Sequence, residues 1–208
     1  MVQRLVHDAA ALGVALTEHD AARLRQLLEE LAHWNRRFNL TAITDLESMV
    51  SHHVLDSLAV HRHLHGAAIA DVGTGAGFPG LPLALVNPER RFSLIDSNGK
   101  KIRFVSHAVR TLGLMNVEPL QARAEMLRPE RPFDTVLARA FAPLPELLAA
   151  VAPLCGSETQ VLAMKGKWPQ AELDAVPRSW RVADSHTLTV PGLPEARCLI
   201  VLMSGIAH

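Results

Sequence analysis

The fold is decided by the stretch Ile69-Ala-Asp-Val-Gly-Thr-Gly-Ala-Gly-Phe-Pro-Gly80. A short apolar run ends in the carboxylate of Asp71, and a loop rich in glycine then leads into what reads as a helix. Glycines at 73, 75 and 77 permit sharp backbone turns and a close approach to a ligand, because they carry no Cβ. The stretch therefore predicts a cofactor-binding turn between a strand and a helix.

The Asp71 carboxylate favours one kind of cofactor over another. The Gly-x-Gly-x-x-Gly spacing of residues 75–80 also occurs in dinucleotide sites, where a pyrophosphate lies at the helix N-terminus. Asp71 would repel that pyrophosphate. S-adenosylmethionine has no phosphate and brings a cationic amine and a sulfonium, so the residues favour it. The alternative is a structural Asp71 that pairs with the amides of the loop.

A second carboxylate, Asp96, follows the strand-like run Arg91-Phe-Ser-Leu-Ile95. Folds of this kind place an acid against the ribose hydroxyls roughly 20 residues after the glycines. We therefore expect Asp96 to accept hydrogen bonds from both hydroxyls. The alternative is that Asp96 caps the following helix, a role that Ser97 or Asn98 fills equally well.

Strands and helices alternate from residue 67 onward, which predicts an α/β fold with a doubly wound, mostly parallel sheet. Five strands are predicted at 67–72, 91–96, 116–120, 133–138 and 159–164, with helices at 80–86, 98–112, 143–151 and 169–175. A C-terminal hairpin, 180–190 and 196–203, adds an antiparallel edge and brings the sheet to seven strands.

The first 66 residues read as helices. One helix starts at Thr17-Glu-His-Asp20, and a capping box at Thr44-Asp-Leu-Glu47 opens another that runs through Leu58. We therefore expect an N-terminal helical extension, residues 1–66, attached to one compact unit, residues 67–208.

Length and composition limit the class of protein. A chain of 208 residues with 49% hydrophobic content suits one α/β domain with a modest extension. The formal net charge is zero, so a surface for nucleic acid needs local clusters of basic residues. Cys155 and Cys198, without a secretory leader, fit a reducing, cytoplasmic compartment. No apolar run reaches the roughly 18 residues of a membrane span, so we expect a soluble protein.

Polar residues also follow the later strands, and the ligand of such a sheet lies outside the carboxyl ends of its strands. The clusters are Arg123-Ala-Glu125, Arg139-Ala-Phe141 and Lys165-Gly166. Glu125 is placed to accept from an adenine amino group, Ala124 to offer its amide to the ring, and Arg139 to face the substrate. The simpler alternative is an ion pair between Arg139 and Glu125 at the sheet edge.

The chemistry of the methyl acceptor is constrained by two motifs that are missing after the fourth strand. One is the Asn-Pro-Pro-aromatic run that holds an exocyclic amine, and the other is the Pro-Cys nucleophile that attacks a pyrimidine. The acceptor is therefore expected to be nucleophilic by itself. Guanine N7 fits, because it has an exposed lone pair and needs no deprotonation. Its alignment with the sulfonium methyl group for an in-line displacement then supplies most of the rate enhancement. An Arg or Lys at O6 would orient the ring.

Basic side chains are candidates for contacts with a phosphate backbone, although a merely solvated charged face is the alternative. The candidates are Arg36, Arg37, Lys100, Lys101, Arg103 and Lys165. The histidines at 52, 53, 61, 63 and 65 do not predict a metal site. Alternate residues on a helix point apart, and no Cys, Asp or Glu completes a coordination geometry.

Seven motifs are spread over nearly the whole chain, in the order Trp34-Asn-Arg-Arg-Phe-Asn-Leu-Thr41, His53-Val-Leu-Asp-Ser-Leu58, Asp71-Val-Gly-Thr-Gly-Ala-Gly-Phe-Pro-Gly-Leu-Pro82, Asp96-Ser-Asn-Gly-Lys-Lys101, Arg123-Ala-Glu125, Arg139-Ala-Phe141 and Lys165-Gly166. Their combination, much more specific than any one of them, resembles the RsmG family, also called GidB. The resemblance implies a class I S-adenosylmethionine-dependent methyltransferase with a Rossmann-like fold.

The resemblance further implies a bacterial enzyme that methylates N7 of a guanine in the decoding region of 16S ribosomal RNA. The substrate would be the free RNA, the small ribosomal subunit or its assembly intermediate. The family pattern places cofactor contacts at Gly73, Phe78, Ala124, Glu125 and Arg139, with Asp96 at the ribose. Three positions depart from that pattern and affect the expected RNA contacts, namely His52, Asn98 and Lys101.

Two other functions remain compatible with the residues. A nucleotide-dependent oxidoreductase would use the same glycine loop, but Asp71 argues against it. A non-catalytic RNA-binding or ribosome assembly factor would retain the pocket only as a vestige.

Overall fold

The structure, a computed structural model, describes residues 1–204, and its centre is a β-sheet. Within this range the sheet has seven strands, β1 (Ala68–Val72), β2 (Arg91–Asp96), β3 (Val117–Gln121), β4 (Thr135–Arg139), β5 (Gln160–Lys165), β6 (Trp180–Leu188) and β7 (Arg197–Ser204). Their order is β3-β2-β1-β4-β5-β7-β6. The first five strands are parallel, and β7 pairs antiparallel with both β5 and β6. The predicted doubly wound sheet with an antiparallel edge is confirmed.

Helices cover the sheet and form the N-terminal region. The α-helices are α1 (Val2–Ala11), α2 (Glu18–Phe38), α3 (Leu46–Met49), α4 (Asp56–Leu58), α5 (Gly80–Val86), α6 (Gly99–Leu112), α7 (Leu144–Val151) and α8 (Gln170–Asp174). A π-helical segment, Val50–Leu55, joins α3 to α4. Short 3₁₀ turns lie at His61–His63, Ala124–Met126 and Ala152–Leu154.

The start of α2 confirms one prediction of capping, and the start of α3 corrects another. Thr17 caps α2 with a reciprocal bond to Asp20, as the sequence predicted. The predicted capping box at Thr44 is wrong, because Asp45 is the N-cap of α3. Both carboxylate oxygens of Asp45 are used, one for the Glu47 amide and one for the Ser48 amide, each at 3.1 Å.

Two buried clusters lie on opposite faces of the sheet. Consecutive residues of a strand point to opposite faces, so Ile69 belongs to one cluster and Ala70 to the other. The first cluster also holds Phe92 and Phe104, and the second holds the apolar side of α7. The result is three layers with the sheet in the middle.

The N-terminal helices share the first cluster with the sheet. Leu5 and Leu24 are fully buried in the same cluster as Phe92 and Phe104. The helices of residues 1–66 therefore pack directly on one face of the sheet. The predicted boundary between a helical extension, residues 1–66, and a compact unit, residues 67–208, stays a prediction. Residues 205–208 of the compact unit lie outside the described range.

The carboxyl ends of the parallel strands lie at one edge of the sheet. The candidate site residues, which come directly after the strands in the sequence, therefore lie at this edge. β4 begins at Thr135, two residues later than predicted, and extends through Arg139. The remaining strand limits differ from the predicted ones by at most two residues. None of the helices within residues 1–204 combines the length and the apolar character needed to cross a membrane.

Candidate active site

The glycine loop after β1 folds back over the end of β2. The amides of Gly73 and Thr74 both donate to the Ile95 carbonyl, at 2.8 and 3.1 Å, and the Gly75 amide donates to Asp96 Oδ2 at 3.0 Å. Gly73, Gly75 and Gly77 all have positive φ, which is the reason that glycine is required there. The loop thus presents its backbone at the carboxyl edge of the sheet.

The Asp71 carboxylate lies beneath this loop and is completely buried. Its Oδ2 accepts from the Thr74 hydroxyl at 2.6 Å and from the Gly80 amide at 2.8 Å. Burial raises the pKa of the carboxyl to about 6, although both donors act in the opposite direction. These contacts are those of the structural alternative, and a direct contact with a cofactor stays a prediction.

Two cavities open at the carboxyl edge and meet at three shared residues, Gly73, Lys101 and Ala140. The smaller has a volume of about 370 Å³ and lies between the ends of β2, β3 and β4. The larger has a volume of about 590 Å³ and is bounded by the glycine loop, the N-terminal helices and the end of β5. One ligand can therefore extend from one cavity into the other past Gly73.

The smaller cavity brings together Asp96, Ala124 and Glu125. The Asp96 carboxylate is buried except for 8% of its residue surface, and it accepts the Gly75 amide on Oδ2 and the Asn98 amide on Oδ1. Each oxygen keeps capacity for a second donor. The N-cap of α6 is Asn98, so Asp96 does not fill that role. Glu125 is exposed and lies 3.7 Å from Arg123.

Arg139 lies in the larger cavity, and its partner is not Glu125. Its Nη1 donates to Asp56 Oδ2 at 2.9 Å and to the His52 carbonyl at 2.8 Å. The guanidinium also lies over the ring of Phe78, 5.9 Å from the centroid. The simple alternative of an Arg139–Glu125 pair is therefore wrong, because β4 directs Arg139 toward the N-terminal helices.

The imidazole of His53 forms the wall beside Arg139. Its ring stacks on Phe78 with centroids 4.8 Å apart, and its Nε2 lies 3.0 Å from the Thr41 hydroxyl. Burial, and secondarily the charge of Arg139, lowers the pKa of His53 to about 4. The ring is therefore neutral at pH 7. The Asn35 side chain fixes Thr41 through two bonds of 2.9 Å to its backbone.

The turn after β4 separates the two cavities. Ala140 adopts a φ of 50°, which is uncommon for a residue with a Cβ. It directs Arg139 toward the larger cavity and Phe141 toward the smaller. The Phe141 ring lies against Gly73, where a Cβ would meet Cδ2 at 2.5 Å. Gly73 is thus required both by its φ and by its neighbour.

The basic residues predicted to contact RNA differ in their position relative to the two cavities. Lys101 lines both cavities, and its Nζ is 3.9 Å from Asp96 Oδ2. Lys165 lines the larger cavity but is neutralised by Glu172 at 2.7 Å. The others are exposed and line neither of the two cavities within the described residues, namely Arg36, Arg37, Lys100 and Arg103.

Among the cofactor candidates, Gly75 and Phe78 line the larger cavity. Gly77 lines neither of the two cavities within residues 1–204. A Cβ there would collide with Leu81, so packing as well as φ requires glycine, and a contact between Gly77 and the cofactor stays a prediction.

Three residues of the larger cavity had no role predicted from the sequence, namely His53, Asp56 and Arg197. His53 and Asp56 are polar side chains inside an apolar helical run. This pattern indicates that both are buried against hydrogen-bonding partners, because buried polar side chains nearly always have such partners. Arg197 lies at the start of β7, with its Nε 3.4 Å from Asp56 Oδ1. No local pattern indicates that pair.

The described residues fit a ligand composed of a nucleoside and a short charged chain. Gly75 leaves the space above its part of the loop free of side chains, and Asp96 has spare acceptor capacity at the rim of the smaller cavity. Asp71 Oδ1 is buried without a hydrogen-bond partner among residues 1–204. In the same range there is no group of three His, Cys, Asp or Glu side chains that could hold a metal ion.

A family model and individual relatives match this chain over nearly its whole length, and all of them carry the same family name. Residues 20–200 match the family model GidB, described as rRNA small subunit methyltransferase G. Ribosomal RNA small subunit methyltransferase G of Aeromonas salmonicida is 43% identical over 200 residues, 96% of each chain. The protein of that name from Pseudomonas paraeruginosa is 46% identical over 202 residues, 95% of this chain and 93% of the relative.

The fold also matches solved structures. A SAM-dependent methyltransferase from Aquifex aeolicus superposes with a TM-score of 0.54 at 20% identity, covering 75% of this chain and 93% of that one. At this level of identity the likeness concerns the fold.

Proposed function

The chain belongs to the GidB family, rRNA small subunit methyltransferase G, and on this premise we propose that it transfers a methyl group from S-adenosylmethionine to N7 of a guanine in 16S ribosomal RNA. The substrate is that RNA, either free, in the small subunit or in its assembly intermediate, and the proposed location is cytoplasmic. The observation that carries the proposal is the pair of cavities joined at Gly73. One has the residues for a nucleoside, and the other has a fixed guanidinium.

The smaller cavity is proposed to hold the adenosine part of the cofactor. Asp96 accepts from the ribose hydroxyls with the lone pairs that its two backbone amides leave free. The Ala124 amide and the Glu125 carboxylate serve the adenine ring. Gly73 and Gly75 let the rest of the cofactor pass toward the larger cavity, because no Cβ projects there.

The larger cavity is proposed to hold the acceptor guanine. When bound, S-adenosylmethionine supplies an electrophilic methyl group on a sulfonium. Guanine N7 has a free lone pair, so the chain needs to orient the base and exclude water, and no proton has to be removed. Arg139 is proposed to orient the ring through O6. His53 is neutral and forms an apolar wall with Phe78.

The exposed basic residues are proposed to contact the RNA backbone. Lys100 and Arg103 lie on the first turns of α6, next to Lys101 at the junction of the cavities. Arg36 and Arg37 end α2 shortly before Thr41 of the larger cavity. Such contacts contribute affinity that falls with salt concentration. Lys165 is a weaker candidate, since Glu172 already balances its charge.

The proposal is tested by methylation of small ribosomal subunits that come from a strain lacking the gene. Purified protein is incubated with S-adenosylmethionine and with naked 16S RNA, assembling particles or mature subunits in parallel. Nucleoside mass spectrometry then identifies the product and its position. We expect one N7-methylguanosine per RNA in at least one of these substrates.

The same experiment separates the proposal from its competitors. A methyl group on another atom or another RNA would overturn the assignment of guanine N7 in 16S RNA. Tight RNA binding without any methyl transfer would favour a non-catalytic assembly factor. Calorimetry with S-adenosylhomocysteine and with NAD provides the control for the cofactor, because tighter binding of NAD would favour an oxidoreductase.

A further inference from the structure

The Asp56 carboxylate lies between two guanidiniums at the inner end of the larger cavity. Its Oδ2 accepts from Arg139 at 2.9 Å, and its Oδ1 is 3.4 Å from Nε of Arg197. Only 6% of the Asp56 surface is exposed. The three residues come from α4, β4 and β7, so one buried carboxylate joins three distant parts of the chain.

The π-helical segment before Asp56 provides the second acceptor for Arg139. The Asp56 amide donates to the carbonyls of Ser51 and His53 and passes over the carbonyl of His52. A regular α-helix would use the His52 carbonyl for that amide, since each amide bonds four residues back. Here the His52 carbonyl instead accepts from Arg139 Nη1 at 2.8 Å. π-helical turns of this kind occur frequently at functional sites.

Arg139 is therefore held from three sides. Asp56 and the His52 carbonyl bind the same Nη1, and the Phe78 ring lies under the guanidinium. Phe78 is itself held by stacking on His53. A guanidinium with a free end in a cavity and fixed partners behind it is oriented before any substrate arrives.

Two guanidiniums of the larger cavity share one carboxylate. Lys165 is balanced by Glu172, and Lys101 lies near Asp96. Asp56 carries one negative charge against the two guanidiniums of Arg139 and Arg197. The carboxylate thus determines where the guanidiniums lie without neutralising both of them.

We propose that Asp56 is a positioning residue, whose carboxylate acts with the His52 carbonyl to fix the Arg139 guanidinium for the reacting base. This inference rests on the proposed function of Arg139. Asp56 itself stays behind the guanidinium and does not contact the substrate. Its effect on the reaction is exerted through Arg139.

The test compares Asp56→Asn and Asp56→Glu with the wild-type protein. Asp56→Asn keeps the shape and removes the charge. Glu30→Gln is the matched control, because it removes a carboxylate from a 2.7 Å pair with His107 outside the described cavities. Each protein is assayed for kcat, for RNA affinity, for S-adenosylhomocysteine affinity by calorimetry and for thermal unfolding.

We expect Asp56→Asn to lower kcat about 10- to 100-fold, the range typical of a small misplacement of a reacting partner. RNA affinity should stay the same or increase, since the variant removes a negative charge beside the substrate. Binding of S-adenosylhomocysteine should change much less than kcat, and Asp56→Glu should recover part of kcat. A merely structural role would instead lower RNA affinity, cofactor affinity and the unfolding temperature together.

A double-mutant cycle decides whether Asp56 acts through Arg139. The double variant Asp56→Asn/Arg139→Ala should be no slower than Arg139→Ala alone, because the positioned group is already gone. Additive losses of kcat would overturn the inference. Wild-type kcat in Asp56→Asn would overturn it as well.

A readout without catalysis separates this inference from the proposed function. In protein labelled with ¹⁵N-arginine, a guanidinium held by two acceptors should give resolved, slowly exchanging Nη–H signals, assigned with Arg139→Lys. We expect these signals in the wild-type protein and in Glu30→Gln, and their loss in Asp56→Asn. Their persistence in Asp56→Asn would refute the positioning role, whereas a wild-type protein that forms no N7-methylguanosine would refute only the proposed function.

Discussion

The Thr74 hydroxyl donates a hydrogen bond to the buried carboxylate of Asp71 at 2.6 Å, and this bond lies inside the glycine loop. The same carboxylate oxygen accepts from the Gly80 amide at the start of α5. Asp71 therefore joins the beginning and the end of the loop, and its charge is fixed directly below the backbone. The other oxygen is buried without a hydrogen-bond partner in the described residues.

Cofactor binding is expected to release a proton from Asp71. Burial raises the pKa of this carboxyl to about 6, so at pH 6 it is about half protonated. A cationic amine nearby stabilises the charged form and lowers the pKa, so roughly half a proton should leave per ligand bound. Calorimetric titration with S-adenosylhomocysteine in two buffers of different ionisation enthalpy measures this number.

Asp71→Asn is the control for this measurement. The amide oxygen of Asn can replace Oδ2 as acceptor for Thr74 and Gly80, so circular dichroism should show a folded protein. Affinity for S-adenosylhomocysteine should fall at least tenfold, and proton release should disappear. Equal proton release in the two proteins would show that Asp71 does not sense the ligand.

Gly73→Ala is expected to damage cofactor binding more than stability. The position has a φ of 68°, which costs a residue with a Cβ about 1–2 kcal/mol. The new methyl would also push Phe141 away from its place beside Gly73 in the smaller cavity. We expect at least a tenfold loss of affinity for S-adenosylhomocysteine, measured by calorimetry.

Gly113→Ala provides the matched control for backbone strain. Gly113 has a similar φ of 62° at the end of α6, and no described atom beyond its two chain neighbours lies within 4 Å of the position of a Cβ. Both variants should lose about the same unfolding free energy, and only Gly73→Ala should lose affinity. Equal affinities would mean that the close approach of Phe141 to Gly73 has no part in binding.

The sequence alone predicted the sheet, and it placed the candidate cofactor residues after strand ends, because both depend on local patterns. The alternation of apolar runs gave the strands, and the glycines and Asp96 follow strand ends, where a parallel sheet collects ligands. The cap of α3 was misassigned between adjacent residues, Thr44 and Asp45. Such limits depend on side-chain geometry that spacing does not encode.

The larger cavity was only partly predictable, because its contacts join segments far apart in the chain. Arg139 lies at a strand end, as predicted, but its partner Asp56 lies 83 positions away, and Arg197, the second partner of Asp56, lies 141 positions from Asp56. The π-helical segment is also not visible in the sequence. A polar residue in an apolar helix, such as His53, indicates burial but does not identify its partner.

Arg139→Ala is expected to lower turnover much more than RNA binding. The guanidinium is one charge among many for the RNA but is the fixed group in the cavity of the acceptor base. We expect kcat to fall about 100-fold, comparable to the loss of a precise alignment, with RNA affinity within about threefold of the wild type. Single-turnover methylation and filter binding measure the two quantities.

Arg25→Ala serves as the control for a lost guanidinium. Arg25 pairs with Glu29 on the exposed side of α2, away from the described cavities. Its kcat and RNA affinity should match those of the wild type. A parallel fall of kcat and RNA affinity in Arg139→Ala would contradict a position beside the reacting base.

Lys100 and Lys165 are expected to differ in their contribution to RNA binding. Lys100 is exposed and forms no ion pair within the described residues, so Lys100→Ala should reduce the slope of log K against log salt by about one. Lys165 is paired with Glu172 at 2.7 Å. Lys165→Ala should leave that slope unchanged and lower stability by about 1 kcal/mol. The reverse order of the two slopes would assign the phosphate contact to Lys165.

Acid is expected to destabilise the protein through His53. The folded pKa of about 4 lies below the ordinary value of 6.5, so the unfolded chain binds the proton more readily between these values. The stabilisation is complete above pH 6.5 and is lost as the pH falls toward 4. A difference of about 2.5 pKa units corresponds to about 3 kcal/mol.

The charge of Asp71 acts in the opposite direction, so a variant is needed to isolate His53. The raised pKa of Asp71 means that the folded protein binds that proton more readily, which favours the folded state as the pH falls toward 4. His53→Gln removes only the first effect. Urea unfolding of both proteins from pH 7 to pH 4 should show that the wild type loses about 3 kcal/mol more than the variant. Parallel curves would mean that His53 is protonated equally in the folded and unfolded states, and that its stack on Phe78 tolerates the charge.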